Sequence, residues 1–253
     1  MSHSFRHAIV VGASSGLGAE IARQLAASGT AVALLGRREE ELRKVAAEIT
    51  AAGRGRALVR AHDVRRAESV PALLEELVRE LGGLDIMVYA AGIMHLPREG
   101  EYDAARDRAE IEVNLLGAMA WMAPVAAMFE ARRAGTLVAI SSIAGERGRR
   151  TFPAYSTSKA GLTTWMEALR NRVSRYGVNV VTAKPGFVDT SLLDQVEQKP
   201  KGALLTSAPR AASLILAAAR RGGSPSVFIP GMWWPIAMIV RHLPSFVFRR
   251  LNI

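Results

Sequence analysis

The chain has 253 residues, 49% hydrophobic and 22% charged, with no cysteine. That composition fits a soluble globular protein and excludes disulfides, thiolate catalysis and cysteine-ligated metal; no metal site is expected. The formal charge of +10 comes from 33 basic against 23 acidic residues, spread along the chain without an aromatic-basic platform, so no nucleic-acid partner is expected. Residues Met1 to His7 lack the apolar stretch of a signal peptide and lead directly into a strand-like run, which predicts a cytoplasmic protein. No shift in composition marks a linker, and a single domain over 1–253 is expected, with 1–100 mainly its cofactor-binding half.

The first apolar run, His7 to Val11, is followed by Gly-Ala-Ser-Ser-Gly-Leu-Gly and then by an amphipathic run from Ala19 to Ser28. Strand, glycine loop and helix in that order favour a dinucleotide site. Gly12, Gly16 and Gly18 permit a tight turn and close approach to a phosphate, with Ser14, Ser15 and Leu17 between them, and the helix start offers free N–H groups to an anion. A second strand, Ala31 to Leu35, ends in Gly36-Arg37-Arg38. A site preferring NAD places a carboxylate here, whereas a guanidinium holds a ribose 2′-phosphate. NADP(H) is therefore expected over NAD(H), the alternative being that both arginines only open a solvated helix with Glu39-Glu40-Glu41.

The alternation continues. A helix is predicted from Glu39 to Ala52, a strand from Arg56 to Arg60, and a loop with Asp63 and Val64, where Asp63 is placed to accept from an adenine amino group. Pro71 to Leu81 reads as a helix and Leu84 to Tyr89 as a strand, ending in Ala90-Ala91-Gly92, small enough for a cofactor to lie against the sheet edge. A long helix from about Arg106 to Ala131 contains Asn114, which costs helix propensity. It is either functional or a satisfied polar residue beneath a loop. Gly135 to Ile140 is a buried strand, Ala160 to Tyr176 continues a helix, and Asn179 to Ala183 is a sixth strand leading into Lys184 to Thr190. Strands alternating with helices imply a doubly wound α/β fold, a parallel sheet with helices on both faces. Ligands bind at the carboxyl ends of such strands.

The stretch Ser141 to Lys159 brings a hydroxyl, a phenol and an ammonium to that edge. If Tyr155 opens a helix, Lys159 follows one turn later on the same face. A free tyrosine titrates near ~10, and a neighbouring cation is expected to draw it toward the working range, making it a proton donor and acceptor. Ser142, at the end of the preceding strand, is placed to hydrogen-bond a substrate oxygen. Met94, His95, Phe152 and Phe187 are expected as pocket walls, with His95 at the rim. Residues 190–207 read as a substrate lid. Arg147, with Arg149 and Arg150 beside it, is expected to hold a substrate phosphate. Residues 231–253 alternate apolar runs with basic punctuation, too short and too broken by proline to span a bilayer. Peripheral contact with the inner membrane surface is open to that segment, as is packing on a partner subunit.

Taken jointly, these motifs identify the chain as resembling the short-chain dehydrogenase/reductase family over nearly its whole length. The resemblance implies that Asn114, Ser142, Tyr155 and Lys159 form the catalytic four, that Asp63 and Val64 meet the adenine, and that Pro185, Gly186, Val188 and Thr190 form the nicotinamide-side loop. Ala90, Ala91 and Gly92 match the family's N-N-A-G element, with Tyr89-Ala90 where two asparagines are usual. The family's mechanism passes hydride between the nicotinamide and a carbonyl carbon while tyrosine protonates the oxygen, without metal. A homodimer or homotetramer is implied, its shared face formed by the helices around Ala118 and Leu169. The segments A-G-E-R-x-R-R and R-H-L-P-x-x-x-F-R-R-L further resemble the branch that reduces a polyprenylphosphoryl keto-pentose. A small-molecule or lipid-linked substrate is expected. Readings from other classes are a non-catalytic NADP(H)-binding regulator and a membrane-peripheral scaffold.

Overall fold

A computed structural model describes residues 4–196, 202–223 and 226–251. The first half runs β1 (His7–Val11), α1 (Gly16–Ala27), β2 (Ala31–Gly36), α2 (Glu39–Ala51), β3 (Ala57–Ala61), α3 (Val70–Leu81) and β4 (Ile86–Tyr89). Then come α4 (Ala104–Ile111), a π-helical turn (Glu112–Leu116), α5 (Gly117–Arg132), β5 (Gly135–Ile140), α6 (Pro153–Val173) and β6 (Val178–Pro185). The chain closes with β7 (Phe187–Asp189), β8 (Leu205–Ser207), α7 (Ala208–Arg221), β9 (Ser226–Ile229), α8 (Trp233–His242) and α9 (Ser245–Phe248). Seven strands form one parallel sheet in the order β3-β2-β1-β4-β5-β6-β9, and β7 pairs with β8 in a small separate ribbon. This is the doubly wound, Rossmann-type α/β architecture.

The period-2 alternation of the strands assigns each side chain to one of two cores. Val10, Val32, Leu34, Val88, Val138 and Val181 face α1, α2 and α7, meeting Ile21, Leu25, Leu42, Val45 and Ile215. Ile9, Val11, Leu35, Met87, Leu137 and Val180 face α3, α5 and α6, meeting Leu74, Leu77, Trp121, Val125, Phe129, Leu162 and Met166. Strands buried on both faces explain the unbroken apolar runs of the sequence. The helix over residues 104–132 is long and apolar enough to cross a membrane; its buried residues Trp121, Met122 and Phe129 pack into the second core. Ala118 is also fully buried there, so a partner subunit would meet another face of this helix.

Three differences from the sequence expectation bear on the site. The long helix expected from Arg106 to Ala131 is present but widened at Glu112–Leu116 by a π-helical turn, a local feature that recurs at functional sites. Of the lid, Leu193–Gln195 and Gly202–Leu204 are single 3₁₀ turns and 205–207 is β8, while Lys199, Pro200 and Lys201 lie outside the described residues. The C-terminal segment folds into α8 and α9. Trp234, Ile239 and Phe246 are exposed there, interleaved with exposed Arg241, Arg249 and Arg250.

Candidate active site

A cavity of about 540 Å³ opens along the carboxyl ends of the strands, and it joins the glycine loop to the Ser142–Lys159 stretch. At one end, Gly12 turns with φ +89°, and a Cβ there would stand 2.3 Å from the backbone nitrogen of Ala91. Both facts require glycine. Gly12, Ser14, Ser15, Gly16, Leu17 and Gly18 line the cavity with Ala90, Ala91 and Gly92. The α1 N-terminus has no carboxylate in its first turn, so its N–H groups and dipole face the cavity without a competing charge. Arg37 and Arg38 line the same end. Arg38 reaches back over the loop to donate to Ser14 Oγ at 3.0 Å and Ser15 Oγ at 2.6 Å.

Asp63 departs from expectation. Its carboxylate accepts from the Arg65 side chain and backbone, which holds its pKa down at about 2, and the cavity is lined by its neighbours His62 and Val64 instead. His62 packs edge-on to Trp121 at 5.3 Å and bonds Ser69 Oγ at 3.0 Å. No local pattern marks its place.

At the centre, Pro153 starts α6, where its fixed φ suits the first helical position, and so Tyr155 falls in the first turn. Its phenol stands within reach of the hydroxyl of Ser142, whose Oγ accepts from Ala144 N at 3.1 Å. Lys159, one turn on, is buried and donates from Nζ to Ile140 O at 2.9 Å, with Nζ 5.6 Å from the Tyr155 ring centroid. The expected lowering of the tyrosine is overturned: burial pushes its pKa up to about 12, against the opposing hydrogen bond from Ser142. The same burial pushes Lys159 down to about 8. Removal from water disfavours phenolate and ammonium alike, and it is the largest influence on both groups. The phenol is accordingly a protonated acid at neutral pH.

Asn114 sits inside the π-helical turn. Its Oδ1 accepts from Ile93 N at 2.8 Å, and its Nδ2 donates to Ile93 O at 2.8 Å and Ser158 Oγ at 3.0 Å. In this structure it is thus a satisfied clamp under the 90–95 loop. It also borders the lysine, since a Cβ on Gly92 would lie 3.4 Å from both Asn114 Oδ1 and Lys159 Nζ. Tyr89, where asparagine was the familiar residue, is buried and donates to Val113 O at 2.6 Å, tying β4 to the same turn.

At the other end, Met94, His95, Phe152 and Phe187 line the cavity as expected, with Pro185, Gly186, Val188 and Thr190 closing one side. Arg147 does not line it, which corrects its expected role with substrate. Its guanidinium donates to Val240 O at 2.9 Å and to Leu243 O, and lies 4.1 Å over the Phe248 ring. The carbonyls at the end of α8 are short of helical partners and draw the cation away. Glu146 beside it bonds Lys184 at 2.6 Å, both side chains buried, and lies 3.6 Å from Arg241. The arginine of that loop facing the cavity is Arg149.

Glu110 was missed as well. It is 1% exposed, and its Oε1 accepts from the His95 backbone N–H and lies 3.1 Å from His95 Nδ1. Its Oε2 has no partner. Burial raises its pKa, while the His95 contacts oppose the rise. The available signal was its position one helical turn before Asn114, on the same face.

Residues 6–201 match the short chain dehydrogenase family. The chain belongs to the short-chain dehydrogenase/reductase family. An uncharacterised oxidoreductase of Mycobacterium tuberculosis is 33% identical over 235 residues, 92% of this chain and 90% of that protein. A ketoacyl reductase of Nostoc is 33% identical over 180 residues, 71% of this chain and 62% of its own. Among solved structures, a short-chain type dehydrogenase/reductase from Mycobacterium marinum superposes with a TM-score of 0.83 at 25% identity, over 91% of this chain and 96% of that one. The actinorhodin polyketide ketoreductase with NADPH does so with a TM-score of 0.78 at 26% identity, over 90% and 97%. The short-chain enzyme described here is an NAD(P)-dependent oxidoreductase.

Proposed function

We propose that this enzyme is an NADPH-dependent carbonyl reductase, reversible to the secondary alcohol, acting on a largely apolar substrate. The observation that carries the reading is that Ser142, Tyr155 and buried Lys159 line one cavity with the glycine loop. The residues fit a dinucleotide: the Gly12 turn and the α1 N-terminus would hold its pyrophosphate, and Arg37 and Arg38 a ribose phosphate, with no carboxylate at the end of β2 to repel it. The ketoreductase with NADPH, similar in fold and sequence, supports the same preference. The nicotinamide supplies or accepts the hydride.

The protein's own part is proton transfer and alignment. Ser142 orients the carbonyl oxygen, and Tyr155, protonated at working pH, delivers the proton to it. Lys159 keeps positive charge beside the forming phenolate, and Asn114 holds the 90–95 loop against that lysine. Pro185, Gly186, Val188 and Thr190 flank the nicotinamide side. Loss of Tyr155's hydroxyl in Tyr155→Phe should lower ketone reduction by about 10²–10⁴-fold and leave nucleotide binding in place. NADPH consumption with a ketone reads the first point, and tryptophan fluorescence titrations with NADPH and NADH, on this variant and on Arg37→Asp, read nucleotide binding and preference. Unchanged turnover would reject the tyrosine's role, and equal affinities would reject the NADPH preference. Exposed Trp234, Ile239 and Phe246 among arginines also support contact of 231–253 with an anionic membrane surface. Equal sedimentation with anionic and neutral vesicles would remove that contact.

A further inference from the structure

Among the described residues lining the cavity, Arg37, Arg38, Arg149 and Lys159 are cationic and none is aspartate or glutamate. The first two stand at the nucleotide end and Lys159 at the centre. Arg149 alone serves the far end, on the loop leading into α6. Its neighbours point elsewhere: Arg147 binds the end of α8, and Arg150 is exposed and outside the lining.

Arg149 stands beside an apolar cluster. Met94, Ala144 and Tyr155 form a small cluster there with Phe152, Leu192 and Val196. The guanidinium carbon lies 5.7 Å from the Phe152 ring centroid, and Nε is buried without a hydrogen-bond partner. A guanidinium offers five donors in a fixed fork, and leaving its buried Nε unpaired beside apolar side chains is costly unless an acceptor arrives. The complementary group is an oxyanion, which the fork binds in paired fashion and which a low-dielectric chamber holds more tightly than water does.

We infer that the substrate end of the cavity is built for a ketone bearing a carboxylate or phosphate, paired to Arg149, with an apolar remainder against Met94, Phe152 and Leu192. This rests on the reductase reading, which makes this end the substrate chamber. The two can be tested separately. Calorimetric binding of decanoate, decyl phosphate and decanol, with NADP⁺ present, measures anion preference without turnover. At least one anion should bind about tenfold or more tightly than decanol. The ratio should fall to near one in Arg149→Met, recover in part in Arg149→Lys, and persist in Arg150→Met. The tighter of the two anions names the oxyanion. Equal affinity of anions and alcohol in the wild type, no binding of either anion, or a preference that survives Arg149→Met would overturn the inference. Reduction of 4-oxodecanoate then separates the readings. Anion preference without reduction supports the Arg149 site and counts against the reductase, whereas ketone reduction without anion preference sinks only the Arg149 site.

Discussion

The two ends of the cavity are held by different kinds of contact. At the nucleotide end the chain turns on its own backbone. The amides of Gly12 and Ala13 both donate to Leu35 O, Ala91 packs on Gly12, and Arg38 closes over Ser14 and Ser15. At the substrate end, side chains far apart in sequence do the holding: Glu146 to Lys184, Arg147 to Val240 and Leu243, and Glu110 to His95. A Cβ on Gly186, on the wall of this end, would stand 2.0 Å from Trp233 Nε1, so α8 is pressed directly onto the loop. The lesson is that a cofactor shared by many relatives can be held by a local backbone device. A substrate particular to one chain is enclosed by contacts that only the completed fold creates.

The comparison breaks most visibly at the buried ion pair. Lys184→Met leaves Glu146 buried, with Arg241 at 3.6 Å as its remaining cation, and should destabilise the protein by about 3–5 kcal/mol. A thermal melt reads the loss. If the two ends are as separately built as the contacts indicate, hydrogen exchange should loosen first at Ser142–Phe152 and α8, with the 12–18 loop protected longest. Uniform loosening would contradict the division.

A smaller effect sharpens it. Arg147→Ala removes the donors to the last carbonyls of α8 and the cation stacked on Phe248, worth about 1–3 kcal/mol and confined to the tail. Limited proteolysis should then cut within 231–251 at a rate several-fold above wild type, with NADPH affinity unaltered. Because α8 lies on Gly186, ketone KM should rise. An intact KM alongside rapid tail cleavage would show that the tail does not shape the substrate end.

The same division governs what was legible in the sequence. β1 and β5 were readable to their ends because unbroken apolar runs bounded by polar residues can only be buried strands in an α/β chain. The glycine loop was readable because Gly12 answers a backbone demand that no other residue meets. Ser142, Tyr155 and Lys159 were readable from spacing on one strand and one helix. By contrast, β9 is four residues long and only partly buried, too short to show a period, and the start signals of α7, Ser207 as N-cap with Pro209 in the first turn, lie at the edge of a stretch that reads as one long loop. Arg147 and Arg149 stand in one arginine run, and nothing local tells which faces the cavity. The choice is made by α8 offering carbonyls ninety-odd residues away. The raised tyrosine has the same origin, since local chemistry supplied the cation but only the fold supplied the burial.

The smallest expected effect is the most diagnostic, because it reaches the centre from the substrate end. The charge of Glu110 raises the pKa of both Lys159 and Tyr155. Glu110→Gln keeps the shape and the hydrogen bond to His95 but removes that charge, so both pKa values must fall. Lys159, at about 8 in the wild type, then loses its proton at lower pH. On the proposed mechanism reduction uses the protonated lysine, so kcat/KM for a ketone should decline as pH rises through the Lys159 value, and the declining limb should move to lower pH in Glu110→Gln. The move should be less than about one unit, under about 1.4 kcal/mol. His95→Ala leaves Glu110 charged and still bonded to the backbone N–H of residue 95, losing only the ring contact, and the coupling requires the limb to stay or nearly so. A limb that moves down equally in both variants would mean that Glu110 acts by holding the 90–95 loop in place and that its charge does not reach the lysine.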